Sequence, residues 1–202
     1  VMSVPEDNEF LRENFNTRSD ALMNHTFIAR HGTDVDVRYR SGNRVRGAGS
    51  RNRNPINLRV NLPRDKPWNG VSRFNLNTQF SYLQVAGMKL MKAGGVSTAV
   101  DAFPVQVRLN GVNRSNDNQP NRRYGSYVHL EALAADYLED HFPEDSDGNL
   151  YKKKRPDVKW PYRSGNINSY LSDGWSKSSN SSANDWGDLD TFMFVMNNAS
   201  TS

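Results

Sequence analysis

The sequence predicts an α+β protein: a twisted antiparallel sheet with one main packed helix, followed by the start of a helical lobe. Three observations carry that expectation. Apolar and polar residues alternate over short runs, as in Val35, Val37 and Tyr39 and again in Leu58, Val60 and Leu62, which is the mark of half-buried strands. Residues 79–93 carry the clearest helical repeat, with Leu83, Ala86, Gly87, Leu90 and Met91 on one face and Gly94-Gly95 as a stop. Beyond residue 132 the alternation gives way to helical patterns over residues 133–142 and 186–196.

The totals narrow the class. The chain has 202 residues, a net charge of +4, 36% hydrophobic residues and a mean hydropathy of −0.81, which suits a soluble, loop-rich protein with enough length for a core. With no cysteine it has neither a disulfide framework nor a thiolate metal site. No apolar run is long enough to span a membrane, and Val1-Met2 does not open a signal peptide. Asn-x-Ser/Thr triplets at Asn24, Asn113, Asn180 and Asn198 are expected by chance in so Asn- and Ser-rich a chain.

Taken in order, residues 1–25 read as a polar lead with a turn or two of helix around Phe10, Leu11, Phe15 and Leu22. Thr26-Phe27-Ile28-Ala29 is a first strand, His31-Gly32-Thr33 its turn, and residues 35–39 the second strand. Residues 39–63, YRSGNRVRGAGSRNRNPINLRVNLP, then hold Arg40, Arg44, Arg46, Arg51, Arg53 and Arg59, with no acid between Asp36 and Asp65. At the centre, Arg46, Gly47, Gly49, Ser50 and Arg51 suggest a hairpin tip. Glycine allows the backbone to approach an anion, and guanidinium groups contact phosphate oxygens in pairs. The bland reading of the same residues is a solvated basic hairpin. This basic segment and Lys152-Lys153-Lys154-Arg155 concentrate the positive charge, which favours an anionic ligand over a general attraction to DNA. Nucleic acid is disfavoured further because aromatics other than Tyr39 are not interleaved with the arginines.

Trp68 is expected to cap the sheet edge and Thr78 to N-cap the main helix. Phe103, Val105, Val107 and Leu109 form a strand before Asn110-Gly111, and a polar insertion over residues 113–123 leads to a return strand over residues 125–130. His129 in that strand reads as structural. Asp136, Glu139 and Asp140 read as a solvated helix face, and Asp145, Asp147 and Asn149 as a plain turn. Residues 163–185 are Ser/Asn/Gly-rich and are expected to be a mobile loop with room for one helical turn. Asp188 and Asp190 tempt as metal ligands, but their place in a first helical turn favours a capping role.

The order of hairpin, helix, two strands, a Glu at a strand end and a further helix is that of a protein-kinase small lobe with its hinge. The pieces YRSGNRVRGAGSR, NLRVNL, FNLNTQF, MKAGG, PVQVRLNG and GSYVHLEALAADYLEDHF with GNLYK resemble the CotH kinase family, chiefly over residues 39–152 and more weakly to Met196. The resemblance implies a kinase-like small lobe over residues 26–131 and a hinge helix with an incomplete C-terminal lobe over residues 132–202. It implies use of ATP with Mg or another divalent metal, transfer of phosphate to protein Ser/Thr in the full-length protein, and an extracellular, surface or coat-associated setting. Arg46, Gly47, Gly49 and Ser50 match the family's phosphate-covering loop. Arg59 falls near the strand position of its Lys, and Glu131 matches the residue facing adenine at the hinge. Glu131 also suits a helix N-terminal acid. The family's metal-binding and catalytic residues fall beyond the point matching Met196, so this chain is expected to be the front part of such a kinase. The alternative is a non-catalytic surface or assembly module that binds anionic polymers or a partner protein through its arginine-rich face.

Overall fold

The computed structural model describes residues 19–47, 49–51, 55–114, 127–153 and 160–199. The chain forms two compact units, divided between Ala132 and Leu133. The lead over residues 1–18, most of the polar insertion, and Lys154-Arg155 lie outside the described residues.

The first unit is a curled antiparallel sheet. Its strands are β1 (Met23–His31), β2 (Asp34–Val45), β3 (Leu58–Asn61), β4 (Arg73–Asn77), β5 (Ala102–Val105) and β8 (Tyr127–Glu131), in the spatial order β1-β2-β3-β4-β8-β5. A two-stranded hairpin, β6 (Arg108–Leu109) and β7 (Val112–Asn113), sits apart from this sheet. Its two turn residues, Asn110 and Gly111, have φ of 48° and 82°, the conformation that matches a tight hairpin to strand twist. β2 is longer than its alternation suggests. Tyr39 and Arg40 together face Thr26, and this bulge, with Arg40 at φ 56°, lets the strand continue to Val45.

Register sorts the side chains by face. Val60 lies opposite Phe74, and Leu58 opposite Leu76, which in turn lies opposite His129. This face carries the core: Val45, Leu58, Val60, Phe74, Leu76 and Tyr127 are all buried. On the other face Arg59 lies opposite Arg44 on one side and Asn75 on the other. The connector before β4 brings Trp68 onto the core face, where its ring lies 5.4 Å from Phe27 and 5.8 Å from Phe74. Trp68 therefore packs over the sheet instead of capping its edge, because four neighbouring rings offer it more apolar contact than an edge does.

The main helix, α1 (Ser81–Ala93), starts two residues later than expected, with Phe80 at φ 48° in the cap position. Thr78 does not cap it. Its backbone N–H donates to Asn57 Oδ1 at 2.9 Å and its hydroxyl donates to the Pro55 carbonyl at 3.2 Å, which commits it to the β2–β3 connection. Gly94 ends the helix as expected. Only Ser81 of the helix is buried, and Leu90 is 75% exposed, so the anticipated apolar face does not pack within this unit.

The second unit contains α2 (Ala135–His141), β9 (Tyr151–Lys153), α3 (Ile167–Ser172), β10 (Trp175–Lys177) and α4 (Gly187–Asn198). β9 and β10 pair antiparallel, and Tyr170, Trp175, Trp186, Leu189 and Met193 form the core. The segment expected to be a loop is thus structured. Asn166 caps α3 by accepting from the Ser169 N–H at 3.1 Å, and the buried Tyr170 and Trp175 anchor the end of that helix and the start of β10.

Candidate functional site

The β2–β3 connection, residues 46–57, is held from beneath by side-chain amides. The Arg46 N–H donates to the Asn57 carbonyl at 3.0 Å, extending the ladder by one rung. Asn57, itself buried, uses both ends of its amide. Its Nδ2 donates to Ser50 Oγ at 3.0 Å, while its Oδ1 accepts from Thr78. Gly47 has φ of 114°, and a Cβ there would meet Ser50 Oγ at 2.3 Å. Only glycine suits that turn. Gly49 is exposed, with nothing near the place a side chain would take.

The arginines divide into braces and candidates. Arg51 turns back under its own loop, donating to the carbonyls of Gly47 at 2.8 Å, Ser19 at 3.3 Å and Val45 at 3.2 Å and pairing with Asp20. Arg44 meets the same Asp20 carboxylate at 2.7 Å. The two share one carboxylate, which offsets only one of their two charges, so the basic run is somewhat less positive in the fold than in the sequence. Arg59 donates to Asn75 Oδ1 at 3.2 Å and to Asn61 Oδ1 at 3.4 Å, which spreads its guanidinium flat along the sheet.

Arg46 differs from these. It is half-buried and donates to Asn77 Oδ1, whose Nδ2 in turn donates to Gln84 Oε1 of α1 at 2.9 Å. Among the described residues no carboxylate pairs with it. Burial, followed by the neighbouring Arg44 charge, pulls its pKa below that of a free guanidinium. Sequence reasoning missed Asn57, Asn75, Asn77 and Gln84. For Asn75 and Asn77 the signal available was the polar parity of N-L-N in β4, which places Asn75 opposite Arg59 of β3.

Glu131 does not join this group. It lies opposite Phe74 on the core face, is buried, and its Oε2 accepts from the Asp101 N–H at 3.4 Å. In the second unit Asp188 accepts from the Tyr151 hydroxyl and from Asn149 Nδ2 at 2.8 Å, and hydrogen bonding from these partners holds its carboxyl low against the effect of burial. Asp190 accepts from the Tyr170 hydroxyl at 2.6 Å and the Gly165 N–H at 2.8 Å. Both carboxylates are committed to internal bonds that hold the start of α4.

A cation needs spare oxygens, and on the arginine face the amide oxygens of Asn61, Asn75 and Asn77 already accept from Arg59 and Arg46. That face by itself presents guanidinium donors, which suit the oxygens of an anion. No helix among the described residues is long and apolar enough to cross a membrane. No curated protein matches the chain. The family model described as CotH kinase protein matches residues 44–202, taking in the glycine tip, the arginine-bearing β3 and the whole second unit. On that match the chain belongs to the CotH kinase protein family.

Proposed function

We propose that this chain is the nucleotide-phosphate-binding part of a CotH-like protein kinase, acting in ATP-dependent phosphoryl transfer to protein Ser/Thr in the full-length protein. The observation that carries the proposal is Arg46. It is a half-buried cation with no carboxylate partner among the described residues, set by Asn77 beneath a glycine tip and on the sheet face that also holds Arg59. Desolvated positive charge beside flexible backbone N–H groups is what a polyphosphate requires. Transfer of the phosphoryl group depends chiefly on positioning and charge stabilisation, to which these arginines contribute orientation of the phosphates. The divalent metal that the family implies would supply charge neutralisation when bound. Asp20 offsets one of the two charges of Arg44 and Arg51, which reduces the basic surface open to anionic polymers.

Calorimetric titration with Mg·ATP, against sodium sulfate at matched ionic strength, tests the reading. ATP is expected to bind in preference to sulfate, and Arg46→Met to weaken ATP about tenfold, the size of one lost charge-assisted hydrogen bond. The circular dichroism of the variant should be unchanged. Equal competition by sulfate would instead favour the anionic-polymer or partner-binding module.

A further inference from the structure

Among the described residues the core face of the sheet does not close. Between the edge strands β1 and β5 lies a cavity of about 680 Å³, reached by Phe27 and Ala29 on one side and Phe103 and Val105 on the other. That volume is within the range of about 300–1,000 Å³ usual for small-molecule sites. Its walls are aromatic. The Phe103 and His129 rings stack at 4.3 Å with 14° between their planes, and Trp68 meets the edge of His129 at 5.5 Å.

Polar side chains also line the cavity, and three of them are more than nine-tenths buried. They are His129 at 3% exposure, Asn43 at 2% and His25 at 8%. His129 Nδ1 and Nε2, Asn43 Oδ1 and His25 Nδ1 have no hydrogen-bond partner among the described residues. Leaving such atoms unmatched costs about 1–3 kcal/mol each, so a core meant only for packing would carry apolar residues here. Burial lowers the pKa of both histidines to about 4, so at neutral pH each imidazole is uncharged, and that of His129 leaves both its donor and its acceptor nitrogen unpartnered.

We infer that this cavity is a second ligand site, taking a flat, uncharged aromatic molecule of about two fused rings that carries both a hydrogen-bond donor and an acceptor. The rings would lie among Trp68, Phe103 and Phe27, and the polar groups would meet Asn43 Oδ1 and the imidazole of His129. An anion is disfavoured at depth, because the cations of the lining, Arg30 and Arg108, are exposed side chains. The site is separate from Arg46, which lies on the opposite face of the sheet, so the inference does not depend on nucleotide binding.

The test uses hydroxyquinoline as probe and methylnaphthalene as an isostere without the polar pair, with the side-chain ¹⁵N resonances of the histidines and Trp68 as readout. Hydroxyquinoline is expected to shift His129, His25 and Trp68 together and to bind at least about tenfold tighter than methylnaphthalene. Mg·ATP should not displace it. His129→Phe, which keeps the stacked ring, should abolish the preference while leaving methylnaphthalene binding intact. The comparison of the two probes in the unaltered protein decides the matter even where that variant fails to fold. Equal affinity of the two probes, absence of shifts up to the solubility limit, or displacement by ATP would each overturn the inference.

Discussion

At the residue scale the β2–β3 tip depends on one glycine and one asparagine more than on its arginines. Gly47 sits at a φ that side chains rarely adopt, with the Ser50 hydroxyl where a Cβ would go, and that hydroxyl is in turn held by Asn57. Gly47→Ala must therefore either twist the backbone back or push Ser50 off its partner. The expected cost is about 1–3 kcal/mol, read as a lower urea midpoint at unchanged m-value. Asn57→Ala strands the Thr78 N–H and removes the donor to the Ser50 hydroxyl, while the Thr78 hydroxyl keeps the Pro55 carbonyl, and should cost about 1–3 kcal/mol in the same assay. If both variants unfold at the midpoint of the unaltered protein, the tip is not braced as described. Residues of this kind are barely visible in a sequence. The glycine-serine pattern pointed to the tip, but Asn57 is one of many asparagines, and only folding brings it beneath Ser50.

At the element scale, strands were more legible than the helix. Leu58 and Val60 are buried on one face as their alternation requires, and Gly94 stops α1 where it stands in the sequence. The helix start was misplaced because Thr78, a good capping residue by type, found stronger partners across the hairpin. Residues 163–185 were hidden for a related reason. Their composition is that of a loop, while the burial of Tyr170 and Trp175 that orders them depends on Trp186 and Met193 farther along the chain. The candidate site was legible in its cations and illegible in their division. Asp20, 24 residues before Arg44 and 31 before Arg51, decides which arginines have an acidic partner. The apolar stripe of α1 yields a prediction of its own. Leu90 is largely exposed, so Leu90→Gln should change stability by less than about 0.5 kcal/mol in thermal denaturation. A loss of several kcal/mol would mean that the stripe is covered in solution.

At the scale of the whole molecule, the sheet separates two chemistries that hydropathy alone would have mixed. One face gathers guanidinium and amide groups; the other gathers aromatic rings with His25 and His129 among them. The buried histidines make stability depend on pH in a calculable direction. Burial lowers each from 6.5 to about 4, with Asp101 opposing the effect on His129 only in part. Above pH 6.5 both folded and unfolded chains hold these rings neutral, and their contribution is fully present. As the pH falls from 6.5 towards 4, the unfolded chain takes up protons that the folded chain refuses, so stability drops; below 4 both states are protonated and the loss levels off. Each histidine should then cost roughly 2 kcal/mol between pH 7 and pH 5, from the linkage of its shift. Carboxylates titrate in the lower part of this window, so the comparison of chemical denaturation between the unaltered protein and His129→Phe isolates the imidazole. The variant, whose ring stays stacked but cannot protonate, should lose about half of the histidine-linked slope. Parallel pH profiles for the two proteins would show that His129 titrates alike in the folded and unfolded chains, and that its burial among Phe74, Phe103 and Trp68 does not desolvate it.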